Sequence, residues 1–253
     1  MELIGKTAPL PGDLRRSHED GFDKIELYMR EEFLTPRHLK FLKDARRENG
    51  MEYYSIHTPH SRPEHFMNTL EKTKDFARAA DIPVIVVHSQ FVDVFSRGVL
   101  DAMEKNMFVE NGYEHNLTFL EKQFKNGVKI CFDTAHFYVG SVSFGRDYYE
   151  DLDRLFGKNS KKVGHLHFGD VTSDFVGKKP PISSLNDYDV AVGDGDIDFL
   201  KAIPIMARRY KGVAVVEVDV KRQRRDMDKI QKILSLKARR TPARRISRRR
   251  PKR

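Results

Sequence analysis

Eight short apolar runs separated by amphipathic stretches set the pattern of this chain. They lie at 2–7 (ELIGKT), 24–28 (KIELY), 52–57, 84–88, 106–110, 128–133, 162–168 and 213–218. Such runs read as strands, and their alternation with segments of helical period calls for a parallel sheet with crossover helices. Six runs stop on, or one step past, a carboxylate or histidine: YYSIH at His57, VIVVH at His88, MFVE at Glu110, KICFD at Asp133, GHLH at His167 and VAVVE at Glu217. Buried strands that finish in metal-type ligands rather than turn residues point to one shared site where parallel strands end.

With 253 residues, the chain is close to the roughly 250 typical of one eightfold α/β barrel. The expected architecture is an α/β fold, a (β/α)8 TIM barrel over residues 1–236, followed by a disordered polybasic tail at 237–253. Among the helices, TPRHLKFLKDARREN places Leu39, Phe41, Leu42 and Ala45 near helical spacing behind Thr35 and Pro36, a cap and first-turn pair. NLTFLEKQFKN repeats the pattern with Leu117, Phe119, Leu120 and Phe124. DIDFLKAI reads as a helix capped through Asp196, and Met227, Ile230, Ile233 and Leu234 mark a closing helix. Residues 89–105 leave room for a short helix only. Residues 170–196 form a long Gly/Pro/Asp-rich loop of the kind that is functional or disordered.

Composition limits what the domain holds. Cys131 is the single cysteine, which excludes an internal disulfide and thiolate-clustered zinc or iron–sulfur sites. There is no run of about 18 apolar residues and no basic-then-apolar N-terminus, so a soluble, cytoplasmic protein without membrane contact is expected. Of 46 Lys and Arg residues, ten fall between Lys237 and Arg253 with no acid among them, leaving 36 against 37 acids in the first 236. The net +9 therefore belongs to the tail. KARRTPARRISRRRPKR has almost nothing apolar to bury and is expected to attract polyanions, nucleic acid first, through Arg239, Arg240, Arg248, Arg249 and Arg250. Lys178 and Lys179, in the long loop, are further candidates for phosphate contact. A purely solubilising or localising tail is the plainer alternative.

Strand periodicity brings the ligands together. In KICFD, Cys131 and Asp133 share a face opposite Ile130 and Phe132; in VGHLHF, His165 and His167 oppose Leu166 and Phe168; in VAVVEV, Val213, Val215 and Glu217 align. With those faces inward, Asp133, His167 and Glu217 reach the barrel mouth, while Cys131 and His165 lie one layer deeper. His57, His88 and Glu110 end their strands at the mouth level. This mixture suits Zn²⁺, Mn²⁺ or Fe²⁺, and a cation is the simplest way to make crowded inward carboxylates tolerable. Taken singly, a histidine is more often a satisfied core or surface residue. His165 reads as a core histidine, Cys131 as a small buried hydrophobe, and His60, His65 and His115 as surface residues in loops.

In these positions SIHTPH, VVHSQ, VEN, CFDTAH, HLHFGD, DYDVAVGDGDID and VVEVD resemble the xylose isomerase-like TIM barrels, which include sugar isomerases and epimerases and the endonuclease IV family. The resemblance spans about residues 1–220, and DTAH is its most telling motif. Carried over from endonuclease IV, it implies a first zinc on His57, His88 and a bridging Glu110, and a second on Glu110, Asp133, His167 and Glu217. A third would use His136, Asp187 and the position that holds Asp189 here where the family has His. Two or three Zn²⁺ would then support hydrolysis of duplex DNA 5′ to an abasic site through a metal-bridged hydroxide.

The same residues support a rival. Sugar isomerases and epimerases of this superfamily imply a single Mn²⁺ or Mg²⁺ on Glu110, Asp133, His167 and Glu217. The catalytic pair Glu110 and Glu217 would move a proton on a small sugar or sugar phosphate, with His57, His88 and His136 around the substrate. Asp187 and the polycationic tail place the endonuclease first. A third possibility is a barrel that has lost activity and binds nucleic acid, with Asp189 as the sign of erosion.

Overall fold

The computed structural model describes residues 1–88, 92–172 and 190–240, with side chains to Leu236. Lys178, Lys179, Asp187, Asp189, Arg248, Arg249 and Arg250 lie outside the described residues, as do the side chains of Arg239 and Arg240. All eight apolar runs form strands: β1 Glu2–Thr7, β2 Lys24–Tyr28, β3 Glu52–His57, β4 Val84–Val87, β5 Met107–Glu110, β6 Ile130–Asp133, β7 Val163–Phe168 and β8 Val213–Val216. They pair in chain order as a closed barrel, and the first strand meets the last in parallel, from Glu2↔Val213 to Gly5↔Val216. Alternate residues face opposite ways. Ile25, Leu27, Ile56, Ile85, Val87, Val109, Ile130, Phe132, Leu166, Phe168, Ala214 and Val216 join the core between barrel and helices. Ile4, Val213 and Val215 form a separate cluster with Tyr54. That parity turns the polar strand ends inward.

The helices are α1 Pro11–Glu19, α2 Pro36–Asn49, α3 Phe66–Ala79, α4 Arg97–Asp101, α5 Leu117–Lys125, α6 Thr134–Ser143, α7 Tyr148–Asn159, α8 Phe199–Ala207 and α9 Gln223–Arg240. Thr35 Oγ1 caps α2 by accepting from His38 N at 3.3 Å, and Gly50 ends it at φ 68°, the left-handed turn that glycine adopts without a Cβ penalty. The crossover before β5 is the short α4, as its length requires. Two helices, α6 and α7, bridge β6 and β7. The cap of α8 is Asp198, not Asp196: Asp198 Oδ1 accepts from Leu200 N at 3.0 Å, while Asp196 N donates to Val171 O at 2.8 Å one step earlier. The last helix buries Met227 and Ile230 and runs through Arg240, past the composition boundary at Leu236. Among the described residues no helix is long and apolar enough to cross a membrane.

Candidate metal centre

Four side chains converge at the carboxyl end of the barrel. Glu110 ends β5, Asp133 ends β6, His167 sits one residue before the end of β7, and Glu217 follows β8. One ligand atom of each lies within 4.8 Å of those of the other three. His167 Nδ1 is 2.6 Å from Glu110 Oε1 and 2.5 Å from Glu217 Oε2. Asp133 also caps α6: Oδ1 accepts from His136 N at 2.6 Å. Asn111, the residue after β5, holds the Asp133 backbone from both sides, accepting from its N at 2.9 Å and donating to its O at 3.2 Å. The DTAH spacing is thereby explained: a strand-end aspartate begins a helix whose first turn brings a histidine back over the site.

The donor set fits a divalent cation. Glu110 Oε1, Glu217 Oε2 and His167 Nδ1 are buried without an aligned hydrogen-bond partner, although they stand against one another. A cation among them satisfies all three, and buried polar atoms are otherwise nearly always paired. Burial would lower the His167 pKa, but Cys131, Glu217, Glu26 and Glu110 together raise it well above the usual range. Burial likewise works to raise Glu110, whose carboxyl is nonetheless held well below its ordinary value by His167 and His88. Asp133 is pushed up to about 6, by burial first; His136 opposes the rise, and Glu217 and Glu110 add to it. Three carboxylates and one imidazole suit Mn²⁺, Mg²⁺ or Zn²⁺. The Glu217 side chain is 24% exposed against 2% for Glu110 and none for His167, so approach is over Glu217.

The remaining histidines gather on one side of this set. His57 Nε2 and His88 Nδ1 each lie 3.1 Å from Glu110 Oε2, the oxygen turned away from His167. His57 Nδ1 faces Thr58 O at 3.1 Å and His136 Nδ1 faces Asn111 O at 2.6 Å. His60, read from the sequence as a surface residue, belongs here: its ring centroid is 4.9 Å from that of His88 and 6.2 Å from that of His57. Burial is the main cause that moves its pKa down to about 4. His115 is also not a surface residue. It is 7% exposed, accepts from Gly112 N at 2.8 Å and stacks on Phe119 at 4.2 Å. His65 is exposed, as expected.

One layer down, His165 is fully buried and stacks on Tyr54 at 5.9 Å, the core position anticipated for it. Cys131 is fully buried as well, within 4.8 Å of His165 and His167. Two residues of this layer escape a reading of strand ends. Glu26 of β2 is fully buried and Lys6 of β1 is 8% exposed. Lys6 Nζ donates to Glu217 Oε1 and lies 3.5 Å from Glu26 Oε1. Parity sets Glu26 opposite Ile25 and Leu27 and puts Lys6 on the face of Ile4, but does not by itself say which of those faces is inside.

A family profile described as xylose isomerase-like TIM barrel matches residues 97–237, more than half the chain and the part that carries all four converging donors. The chain belongs to this family. Inosose dehydratase of Halalkalibacterium halodurans is 31% identical over 99 residues, 36% of this chain and 30% of that protein, so the match spans under a third of the curated relative. Endonuclease IV from Thermus thermophilus superposes with a TM-score of 0.63 at 14% identity, over 93% of this chain and 100% of its own. D-psicose 3-epimerase with D-tagatose, from Clostridium cellulolyticum, gives 0.55 at 15% identity over 94% and 98%. At these identities the two structures share the xylose isomerase-like fold with this chain. By name the three are a dehydratase, an endonuclease and an epimerase, so the family is one of enzymes with different chemistries.

Proposed function

We propose that this xylose isomerase-like barrel is a divalent-cation-dependent enzyme of isomerase, epimerase or dehydratase type, moving a proton beside the carbonyl of a small polyhydroxylated substrate. The observation that carries the reading is the convergence of Glu110, Asp133, His167 and Glu217 to within 4.8 Å, a set sized for one ion. A cation held there would polarise the substrate carbonyl. Glu217, the more exposed carboxylate, is the group assigned to take the proton. Burial works to raise its pKa, but Lys6 and His167 outweigh it and keep the group ionised. Glu110, on the other side of His167, is assigned to the second proton position. His57, His60 and His88 form a polar wall suited to hydroxyl groups. Two of the proteins this chain resembles are, by name, an inosose dehydratase and a D-psicose 3-epimerase, which fits such a substrate.

One observation favours the endonuclease reading. His57 and His88 flank the same oxygen of Glu110, whose other oxygen faces His167, as a carboxylate bridging two cations would. Elemental analysis and solvent deuterium wash-in separate the two. One exchangeable cation per chain and chelator-sensitive deuterium incorporation into inosose, D-tagatose or D-fructose is the expected result. Glu217→Gln should slow that exchange by about 100-fold or more, the scale of a lost acid–base group. Two or three tightly held zinc ions, chelator-sensitive incision of an abasic-site duplex and no wash-in would hand the function to the second reading.

A further inference from the structure

Beneath the four donors the barrel interior holds charged side chains beside the apolar Ile4, Val213 and Val215. Glu26 Oε2 accepts from Ser55 Oγ at 2.7 Å and lies 3.0 Å from His165 Nε2. Its other oxygen, Oε1, is 3.1 Å from His167 Nε2 and 3.5 Å from Lys6 Nζ. Lys6 in turn donates to Glu217 Oε1. Lys6, Glu217, His167 and Glu26 thus close a ring. The links to Lys6 and Glu26 use atoms other than the donors, while the Glu217–His167 link joins two of the donors themselves: His167 shows Nδ1 to Glu110 and Glu217 but Nε2 to Glu26, and Glu217 shows Oε2 to His167 but Oε1 to Lys6.

A buried ion pair is a poor stabiliser, because desolvation offsets most of its attraction. An apolar interior would serve the fold as well, so the ring needs another reason. Glu26 Oε1 and His167 Nε2 are both buried without aligned partners, and they face each other. At 3.1 Å a hydrogen on Nε2 would lie beside the Glu26 carboxylate, and Nδ1, which is the ring nitrogen next to Glu110 and Glu217, would then carry none. A carboxylate behind a ligating imidazole sets its tautomer and orientation in this way.

We propose that Glu26 and Lys6 are positioning residues for the cation centre. Glu26 keeps the hydrogen of His167 on Nε2, so that Nδ1 is the ligand atom, and Lys6 engages one oxygen of Glu217, so that the other is the ligand. The inference rests on the cation reading above and holds for either activity, since both use His167 and Glu217.

The test uses the full chain with Mn²⁺ titrated calorimetrically and a Zn²⁺-loaded sample for proton NMR. Glu26→Gln keeps the side chain's size and removes its charge. It should bind Mn²⁺ about 10- to 100-fold more weakly than the unaltered chain, the scale for loss of such a partner. The Nε2–H resonance of His167 should move upfield as the carboxylate acceptor is lost. Lys6→Met alone strands the fully buried Glu26 carboxylate and is expected to fold poorly. The double variant Lys6→Met with Glu26→Gln removes both charges, should fold, and should show the same weakened binding. Mn²⁺ affinity within about twofold of the unaltered chain in Glu26→Gln and in the double variant overturns the proposal. So does an affinity loss with the Nε2–H resonance unmoved. If the unaltered chain binds neither Mn²⁺ nor Zn²⁺, the cation centre itself falls and the inference with it.

Discussion

Asp133 would do two jobs at one position: it ends β6 among the donors of the proposed cation centre, and it caps α6 through His136 N. With its carboxyl pushed up to about 6 in the absence of a counter-ion, protons compete with a cation for it below that pH. The sign follows: a raised carboxylate pKa means weaker cation binding as pH falls. Affinity measured calorimetrically on metal-stripped protein should fall as pH is lowered, already at neutral pH because His167 also holds a proton above its ordinary range, and more steeply, by up to roughly a further tenfold per pH unit, below 6. The carboxylates at strand ends could be read from sequence because polar ends marked which face of β6, β7 and β8 points inward. Glu26 and Lys6 could not be read that way. Parity shows which residues share a face, but nothing at the ends of KIELY or ELIGKT says which face is inside until neighbouring strands are placed.

Asp170, just past β7, accepts from the backbone N–H groups of Val171, Gly193, Gly195 and Ile197 at 2.8, 2.8, 3.0 and 3.2 Å. It ties the end of β7 to the approach to α8. Asp170→Ala would leave several largely buried amides unpaired, at a cost of roughly 3 kcal/mol or more, read as a lower urea midpoint by circular dichroism. Asp198→Ala, which uncaps α8, should cost about 1 kcal/mol in the same measurement. Sequence placed α2 accurately because Thr35 and Pro36 announce it. It misplaced the α8 cap by two residues because GDGDID offers several aspartates, and only the chain's path at Val171 selects Asp198. The helix α6 was not readable at all. TAHFYVGSVS is apolar on most sides, since Thr134, Ala135, Phe137, Val139, Gly140 and Ser141 are all buried, and so it lacks an amphipathic period.

At the scale of the molecule, strand number and alternation followed from the spacing of apolar runs, and the barrel closes as that count implies. A cation that binds only the folded centre should add about 2.7 kcal/mol of stability at 100 times its dissociation constant. Thermal unfolding followed by circular dichroism, with Mn²⁺ and then with excess chelator, should show that gain appear and disappear. The seam between β1 and β8 has a further consequence for how the protein is made. The four converging donors come from β5 to β8 and the charges beneath them from β1 and β2, and they touch where the first strand meets the last. A growing chain therefore carries Lys6 and Glu26 early and without their partners, and the proposed cation centre would be complete only when β8 docks. In the cell, uptake of a cation at such a centre would mark the closure of the barrel.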